Sequence, residues 1–393
     1  MYTVGFDTSA LDPSFKAHAQ RGIGRYVREL WRFFSAAQDL PLAIKPFSHE
    51  LLKGTSLLER GINLLPMGRQ TVRQQLVYPA TLAGPATRGM DILHFPAHLD
   101  APSWSPKPFM VTVLDLIPVV CADLYKADNP GWRFRFGRFL ELRAIKSAKL
   151  ILAISEHTAH DVNRLLGIPL DRIMVTPLGV DSKFSEVKKP SVDEETALRT
   201  RLKLSQIRKI ILYVGGIDQR KNWQTLLSTM EILSAGKGEE APLLVMAGKI
   251  DTDLQYPKLL AQIELRGLAQ HVRLCGYLDE AELLRLYGIS SVFFFPSLYE
   301  GFGLTPLEAL AAGVPVVSSN ASAMPEVLGD AAMLVDPLDS KGFAAAITTI
   351  LHDGERARLY AERGRKRAQS FTWERTGVET VRAYQRCASG DGL

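Results

Sequence analysis

The chain alternates short, almost wholly apolar runs with longer stretches whose apolar residues recur every three or four positions. The runs Tyr2–Phe6, Ala43–Pro46, Ile92–Phe95, Met110–Leu114, Leu150–Ile154 and Ile173–Pro177 lack the polar alternation of a half-exposed strand. Most of them predict buried strands of a parallel sheet, while Ala43–Pro46, which includes Lys45, is a weaker strand candidate. A second series repeats the pattern at Lys209–Val214, Leu243 to the Gly248-Lys249 turn, Val272–Tyr277, Val292–Phe295, Val314–Ser318 and Met333–Pro337. Helical periodicity fills the gaps: Tyr26, Val27, Leu30, Trp31 and Phe34 share one face, and Trp223, Leu226, Leu227 and Met230 another. Val378, Val381 and Tyr384 mark a last helix beginning near Phe371. Residues 40–90 are weakly patterned, with a helix predicted over Gln70–Ala83. The stretch 182–205 turns polar through Lys188-Lys-Pro and Asp193-Glu-Glu, which reads as a linker with a short helix and puts a boundary near 185. The pattern is that of an α/β protein, and 393 residues exceed one typical core. Two domains are expected, 1–185 and 186–370, followed by a terminal helix over 371–393.

One stretch carries chemistry. After the run ending at Phe295, the chain turns through Gly301 and Gly303 and enters a helix that stops at Gly313. Thr305 is placed as N-cap, Pro306 at N1 and Glu308 at N3, a capping box. A glycine turn leading into a helix N-terminus is an anion site, with the amides of Gly301, Phe302, Gly303 and Leu304 converging on it. Glu300 and Glu308 bracket this site, and carboxylates suit hydroxyl groups rather than phosphates. A diphosphate flanked by two polyols fits both demands, and a nucleotide sugar is such a molecule. Upstream, Gly215 and Gly216 follow a strand, and Arg220-Lys221-Asn222 leads into a helix with Asn222 as its expected cap. Two cations at a helix N-terminus oppose the dipole, so an anion is expected there, met by a bidentate Arg and a point-charge Lys.

Glu300-Gly-Phe-Gly-Leu-Thr-Pro-Leu-Glu308, followed by Ala309-Leu-Ala-Ala-Gly-Val-Pro-Val-Val, closely resembles the retaining glycosyltransferases of family 4, with the GT-B fold. The resemblance implies two Rossmann-like domains facing across a cleft, with the terminal helix crossing back onto the first. It gives Glu300 a contact with the donor sugar, Glu308 one with the ribose, and the loop from Gly301 to Thr305 the diphosphate. It makes Arg220 and Lys221 the cations that stabilise the leaving group, with Gly216 standing where many members carry Arg. Gly248 and Lys249 fall near the nucleotide. In the first domain, Gly22 and Gly24, in Arg21-Gly-Ile-Gly-Arg-Tyr, are expected in a loop before a helix, close to donor or acceptor. Asp115, in Leu114-Asp115-Leu, stands in the family's His-Asp-Leu segment, with Leu114 replacing the usual His. Asp115 therefore inherits a contact with donor sugar or acceptor hydroxyl, against an ordinary turn role. The Gly-Ile-Gly-Arg-Tyr start and the Arg-Lys-Asn variant resemble bacterial mannosyltransferases of polysaccharide assembly. That favours GDP-mannose as donor and a glycan or lipid-linked glycan as acceptor, with a UDP-sugar enzyme or a binder without turnover as alternatives. No metal or other cofactor is expected, since Asp251-Thr-Asp253, although a DxD, reads as a surface turn. No carboxylate presents itself as a nucleophile, which favours front-face attack over a covalent intermediate.

Composition narrows the setting. A formal charge of +5 and pI near 9.0 are too weakly basic to imply nucleic acid. Three cysteines, Cys121, Cys275 and Cys387, lie far apart, against a zinc site or disulfide framework. The N-terminus lacks a basic n-region and no run approaches about 18 apolar residues, so a cytoplasmic location is expected. Trp132–Lys149 is helical and rich in Arg and Lys, which suits peripheral contact with the inner membrane face or a solvated helix face. His94 and His98, at a strand end, read as ligands or as satisfied histidines.

Overall fold

The computed structural model describes residues 1–13, 22–49, 75, 77–124 and 131–390. Among these residues the apolar runs form twelve strands: β1 (Thr3–Asp7), β2 (Ala43–Phe47), β3 (Ile92–Phe95), β4 (Phe109–Val113), β5 (Leu150–Ala153), β6 (Ile173–Val175), β7 (Ile210–Val214), β8 (Leu243–Ala247), β9 (Val272–Gly276), β10 (Val292–Phe295), β11 (Val316–Ser319) and β12 (Ala332–Val335). The helices of eight or more residues are α1 (Gly22–Ala36), α2 (Trp132–Ser147), α3 (Glu156–Leu166), α4 (Val192–Arg201), α5 (Trp223–Ser234), α6 (Tyr256–Leu265), α7 (Glu280–Ile289), α8 (Leu304–Ala311), α9 (Ser340–His352), α10 (Gly354–Ala368) and α11 (Trp373–Ser389). Most of the helix predicted over Gln70–Ala83 lies outside the described residues, and its last part holds the short helix Tyr78–Thr81.

The chain forms two compact units, one of residues 1–179 with 373–393, the other of residues 180–372. The first is a parallel six-stranded Rossmann-like sheet in the order β2-β1-β3-β4-β5-β6. β1, β3, β4 and β5 are buried along their whole length, as unbroken apolar runs require. The last helix belongs to this unit, as the resemblance implied. α11 packs on α1 and β5, and a Cβ at Gly377 would lie 2.3 Å from the Phe33 ring, so the two helices approach at a residue without a side chain. Beneath this contact runs a buried polar chain: Tyr384 Oη meets His94 Nδ1 at 2.7 Å, His94 Nε2 meets Thr112 Oγ1 at 2.9 Å, and Tyr26 Oη meets Thr112 Oγ1 at 3.0 Å. His94 is therefore a satisfied core histidine inside β3, and burial lowers its pKa to about 3.

The second unit is also a parallel six-stranded Rossmann-like sheet, ordered β12-β11-β10-β7-β8-β9. Its four central strands β11, β10, β7 and β8 are wholly buried. α9 packs on α5, and α10 on α8. Rings stack through its core, Tyr287 on Phe293, Phe293 on Phe295 and Phe295 on Tyr213, with interplanar angles of 20–26°. This column supports the loops at the carboxyl ends of β7 and β10.

Candidate active site

The carboxyl ends of adjacent strands β7 and β10 bring together residues far apart in sequence. Beyond β7 a single 3₁₀ turn, Gln219–Lys221, presents the two cations, and beyond β10 the loop rises to Glu300. Arg220 Nη1 lies 2.9 Å from Glu300 Oε2, and Lys221 Nζ 2.6 Å from Glu300 Oε1. One carboxylate is thus held between two cations. The loops are also joined by backbone: Leu298 N donates to Arg220 O at 2.8 Å, and Arg220 Nη1 donates to Tyr299 O at 3.1 Å. Lys221 Nζ sits 4.9 Å above the Phe295 ring, so the top of the aromatic column is its floor. Burial pushes the Glu300 carboxyl up, but Lys221 and Arg220 pull it further down, so it stays ionised. For Lys221, burial is the largest influence and lowers its pKa, Glu300 opposing and Arg220 reinforcing the shift.

Two expectations about caps are corrected here. The helix after the glycine turn starts at Leu304, with Gly303 as N-cap, so Thr305 and Glu308 form no capping box. Gly303 has φ of 103°, and a Cβ there would lie 2.3 Å from Met324 Cε. Only glycine fits both the left-handed backbone and the close neighbour, and it takes the cap position from Thr305. Asn222 does precede α5, but at φ 56° its side chain caps nothing. Its Nδ2 donates to Pro296 O at 3.0 Å and Pro337 O at 2.7 Å, tying the cation turn to the loops after β10 and β12.

The anion expected beside Arg220 and Lys221 also has a counterpart within the chain. Glu300 balances them from the neighbouring loop, and Asp218 Oδ2 lies 3.4 Å from Arg220 Nε. The charge conflict read from the sequence is resolved internally. Gly301, Phe302, Gly303 and Leu304 follow Glu300 into α8, whose N-terminus is the expected positive end. Thr305 is half-buried, and Glu308 is buried within α8.

The glycine turns after β7 and β8 lie against each other. Gly248 has φ of 140°, and a Cβ on it would lie 2.3 Å from Gly215 O. The neighbouring Gly216 carbonyl accepts from the buried Tyr213 hydroxyl, and Lys249 Nζ stands 5.3 Å over the Tyr277 ring. Asp253 Oδ1 accepts from Gln255 N at 2.8 Å, so the DxD is a turn, as expected. Three predicted residues belong to the first unit. Asp115 follows β4, and its Oδ1 accepts from Ile117 N at 3.0 Å at the entry to a short helix. Gly22 and Gly24 are not in a loop: they form the first turn of α1, Gly24 buried and Gly22 exposed. Arg21 lies outside the described residues.

Sequence reasoning missed Ser322, whose Oγ accepts from Glu300 N at 2.9 Å from a backbone at φ 52°. It also missed Phe295, an apolar strand residue that becomes the floor under Lys221. Neither carries a local signal, because each matters only through a partner from another loop.

Comparison with known proteins decides the family. The model of glycosyl transferases group 1 matches residues 194–367, and that of Glycosyltransferase Family 4 matches residues 20–184. The O-antigen chain mannosyltransferase B of Escherichia coli is 32% identical over 277 residues, 70% of this chain and 70% of that protein. The chain is a family-4 glycosyltransferase. The family is one of retaining hexosyltransferases. The serotype-specific mannosyltransferase WbdA of Escherichia coli is 28% identical over 273 residues, 69% of this chain but only 32% of that protein. Among solved structures, sucrose-phosphate synthase from Thermosynechococcus elongatus superposes with TM-score 0.73 at 20% identity, each chain covered in full. That likeness shows the GT-B fold of this glycosyltransferase. No helix among its described residues is long and apolar enough to cross a membrane.

Proposed function

We propose that this glycosyltransferase moves mannose from GDP-mannose to a hydroxyl of a glycan or lipid-linked glycan, with retention and without a metal. The observation that carries the reading is the Glu300 carboxylate gripped by Arg220 and Lys221 beside the glycine turn that opens α8. Arg offers N–H donors in a planar fork and Lys a compact point charge, a pair whose chemistry suits a diphosphate. With the amides of Gly301 to Leu304 and Thr305 they stabilise the charge that grows as the nucleotide leaves, an electrostatic role that needs no metal. Glu300 orients the donor sugar, Glu308 the ribose, and Gly215, Gly216, Gly248 and Lys249 line the nucleotide's approach. Asp115, with Gly22 and Gly24, is assigned to the sugar and acceptor side.

Both Glu300 oxygens are engaged by cations, which makes this carboxylate a poor nucleophile and supports front-face attack. A glycosyl adduct found on any side chain by mass spectrometry of trapped enzyme would exclude it. The relatives named as mannosyltransferases support mannose as the sugar. The donor is tested by thermal-shift titration with GDP, UDP and ADP in the absence of metal, since a ligand that binds only the native state raises Tm. GDP is expected to raise it. A shift with UDP alone moves the donor to UDP-sugars, and no shift in well-folded protein removes the donor-site assignment.

A further inference from the structure

The residues from Phe295 to Glu300 are held one by one, because β10 lies between β11 and β7 in the second sheet. From one side come the end of β11 and the loop beyond it. Ser318 Oγ donates to Phe295 O at 3.0 Å, and Ser319 Oγ to Ser297 O at 2.6 Å. Ser322 Oγ accepts from Glu300 N at 2.9 Å. From the other side comes the turn beyond β7. Asn222 Nδ2 donates to Pro296 O at 3.0 Å, Leu298 N to Arg220 O at 2.8 Å, and Arg220 Nη1 to Tyr299 O at 3.1 Å. Each residue of this arm is thus tied, and Ser322 is the tie on the backbone of the residue that bears the carboxylate.

Ser322 makes that tie from a backbone serine seldom adopts. Its φ is 52°, and among the described residues Lys203, Asn222 and Ser322 are the non-glycine residues with positive φ. Two of these three grip the same arm, Asn222 through Pro296 and Ser322 through Glu300. Glycine would fit the left-handed backbone without steric cost, but it would bring no hydroxyl. Strain of this kind persists where the surrounding structure imposes it, and it gathers at functional sites. Two residues further on, the Met324 side chain occupies the space that a Cβ on Gly303 would need. One loop therefore fixes both the Glu300 amide and the turn that opens α8.

The Glu300 side chain has other partners, Arg220 and Lys221, but these are the cations assigned to the diphosphate. When they engage a phosphate, their hold on the carboxylate is shared, and the backbone anchor is what keeps it in place. A polar group held within a fraction of an ångström by its supporting hydrogen bonds needs no reordering when substrate arrives. We propose that Ser322 is a positioning residue: its hydroxyl pins the Glu300 amide and so keeps the carboxylate aimed at the donor sugar while Arg220 and Lys221 meet the diphosphate. What Glu300 is aimed at rests on the donor reading above, whereas the anchoring itself does not.

The test uses Ser322→Gly, which suits the backbone and removes only the hydroxyl, in the full chain. Ser318→Ala is the comparator, since it removes a tie at the strand end without touching the Glu300 amide. Two readouts are taken. Calorimetry gives the ratio of Kd for GDP to Kd for GDP-mannose, with UDP and UDP-glucose run alongside. Hydrogen-exchange mass spectrometry follows the peptide over 298–302. Ser322→Gly should leave the nucleoside diphosphate bound as in wild type and shift the ratio about tenfold against the sugar nucleotide, the worth of one good hydrogen bond. It should also speed exchange in the peptide about tenfold, by freeing the Glu300 amide. Ser318→Ala should do neither. In a Glu300→Gln background, Ser322→Gly should shift the ratio no further, because the hydroxyl acts through that carboxylate. An unchanged ratio in Ser322→Gly, an equal change in Ser318→Ala, or additivity with Glu300→Gln overturns the positioning role. Wild type that binds none of the four ligands sinks the donor reading instead. Exchange then decides alone: faster in Ser322→Gly only, the anchor stands; unchanged, it falls.

Discussion

A carboxylate held between two cations matters most through what its removal leaves behind. Losing either partner of a buried pair strands a charge, at a cost of about 3–5 kcal/mol, although the pair itself contributes far less. Glu300→Gln, which leaves Arg220 and Lys221 without their shared carboxylate, is therefore expected to lower the urea-unfolding free energy by about 3 kcal/mol. Lys221→Met leaves Glu300 paired with Arg220 and should lose less, and the double variant should lose less than the sum of the two. A double-mutant cycle with coupling under roughly 0.5 kcal/mol would show that the two side chains act independently. All three variants should lose turnover. At this scale the sequence was half legible. Glu300, Arg220 and Lys221 each stood out by position, but their mutual pairing crosses 79 residues, and nothing local announces it. The charge conflict at Arg220 and Lys221 is visible within one segment, whereas the carboxylate that balances them in the structure comes from another loop.

Elements were more legible than their ends. Apolar runs located the strands to within a residue or two, most sharply the central ones, which burial on both faces makes wholly apolar, while the edge strands β2, β6, β9 and β12 are partly exposed. Helix caps depend on tertiary contact: one start differs from the expected one, and α5 starts after Asn222 as expected but without a side-chain cap. Thr305 lost its cap to Gly303 through Met324, and Asn222 spends its side chain on carbonyls of distant loops. The sequence over Trp132–Lys149 is helical and rich in Arg and Lys, and the structure of α2 shows apolar residues on more than one face. Leu140, Ala144 and Ile145 face inward, while Trp132, Phe136 and Phe139 are exposed, with the two Phe rings stacked at 6.4 Å. Arg135, Arg143 and Lys146 are exposed along the same helix. Apolar residues on both faces beside cations suit an anionic bilayer surface, where aromatic rings enter the interface and basic groups meet headgroups. The enzyme is expected to float with vesicles containing phosphatidylglycerol at low salt and much less with pure phosphatidylcholine. Phe136→Ser with Phe139→Ser should abolish flotation while leaving GDP binding intact. Equal flotation of wild type and variant would assign α2 to solvent.

At the scale of the whole molecule, the repeated strand series and the polar stretch after residue 182 announced two Rossmann-like units. What the sequence did not show is how the first unit holds the last helix. Tyr384 is one of three periodic apolar positions in the pattern, yet its hydroxyl meets His94 across 290 residues, and His94 passes the contact to Thr112 and Tyr26. That arrangement has a consequence for stability against pH. Burial lowers the His94 pKa to about 3, whereas an unfolded histidine titrates near 6.5. Between those values the unfolded chain binds a proton that the folded unit refuses, so acid favours unfolding. The stability is fully present above about pH 6.5 and is lost as pH falls toward 3, with a slope of up to roughly 1.4 kcal/mol per pH unit from this group. Replacing His94 with Gln should lower stability at neutral pH, since Tyr384 and Thr112 lose a well-placed partner, yet flatten the fall between pH 6 and 4. The measurement is urea unfolding across that range, followed through near-ultraviolet circular dichroism, with the variant's slope compared with that of wild type. Parallel slopes would mean that other groups govern the acid limb and that the buried chain from Tyr384 to Tyr26 is pH-silent. A shallower slope in the variant would place the acid sensitivity of the first unit at the seam where the end of the chain closes onto its beginning.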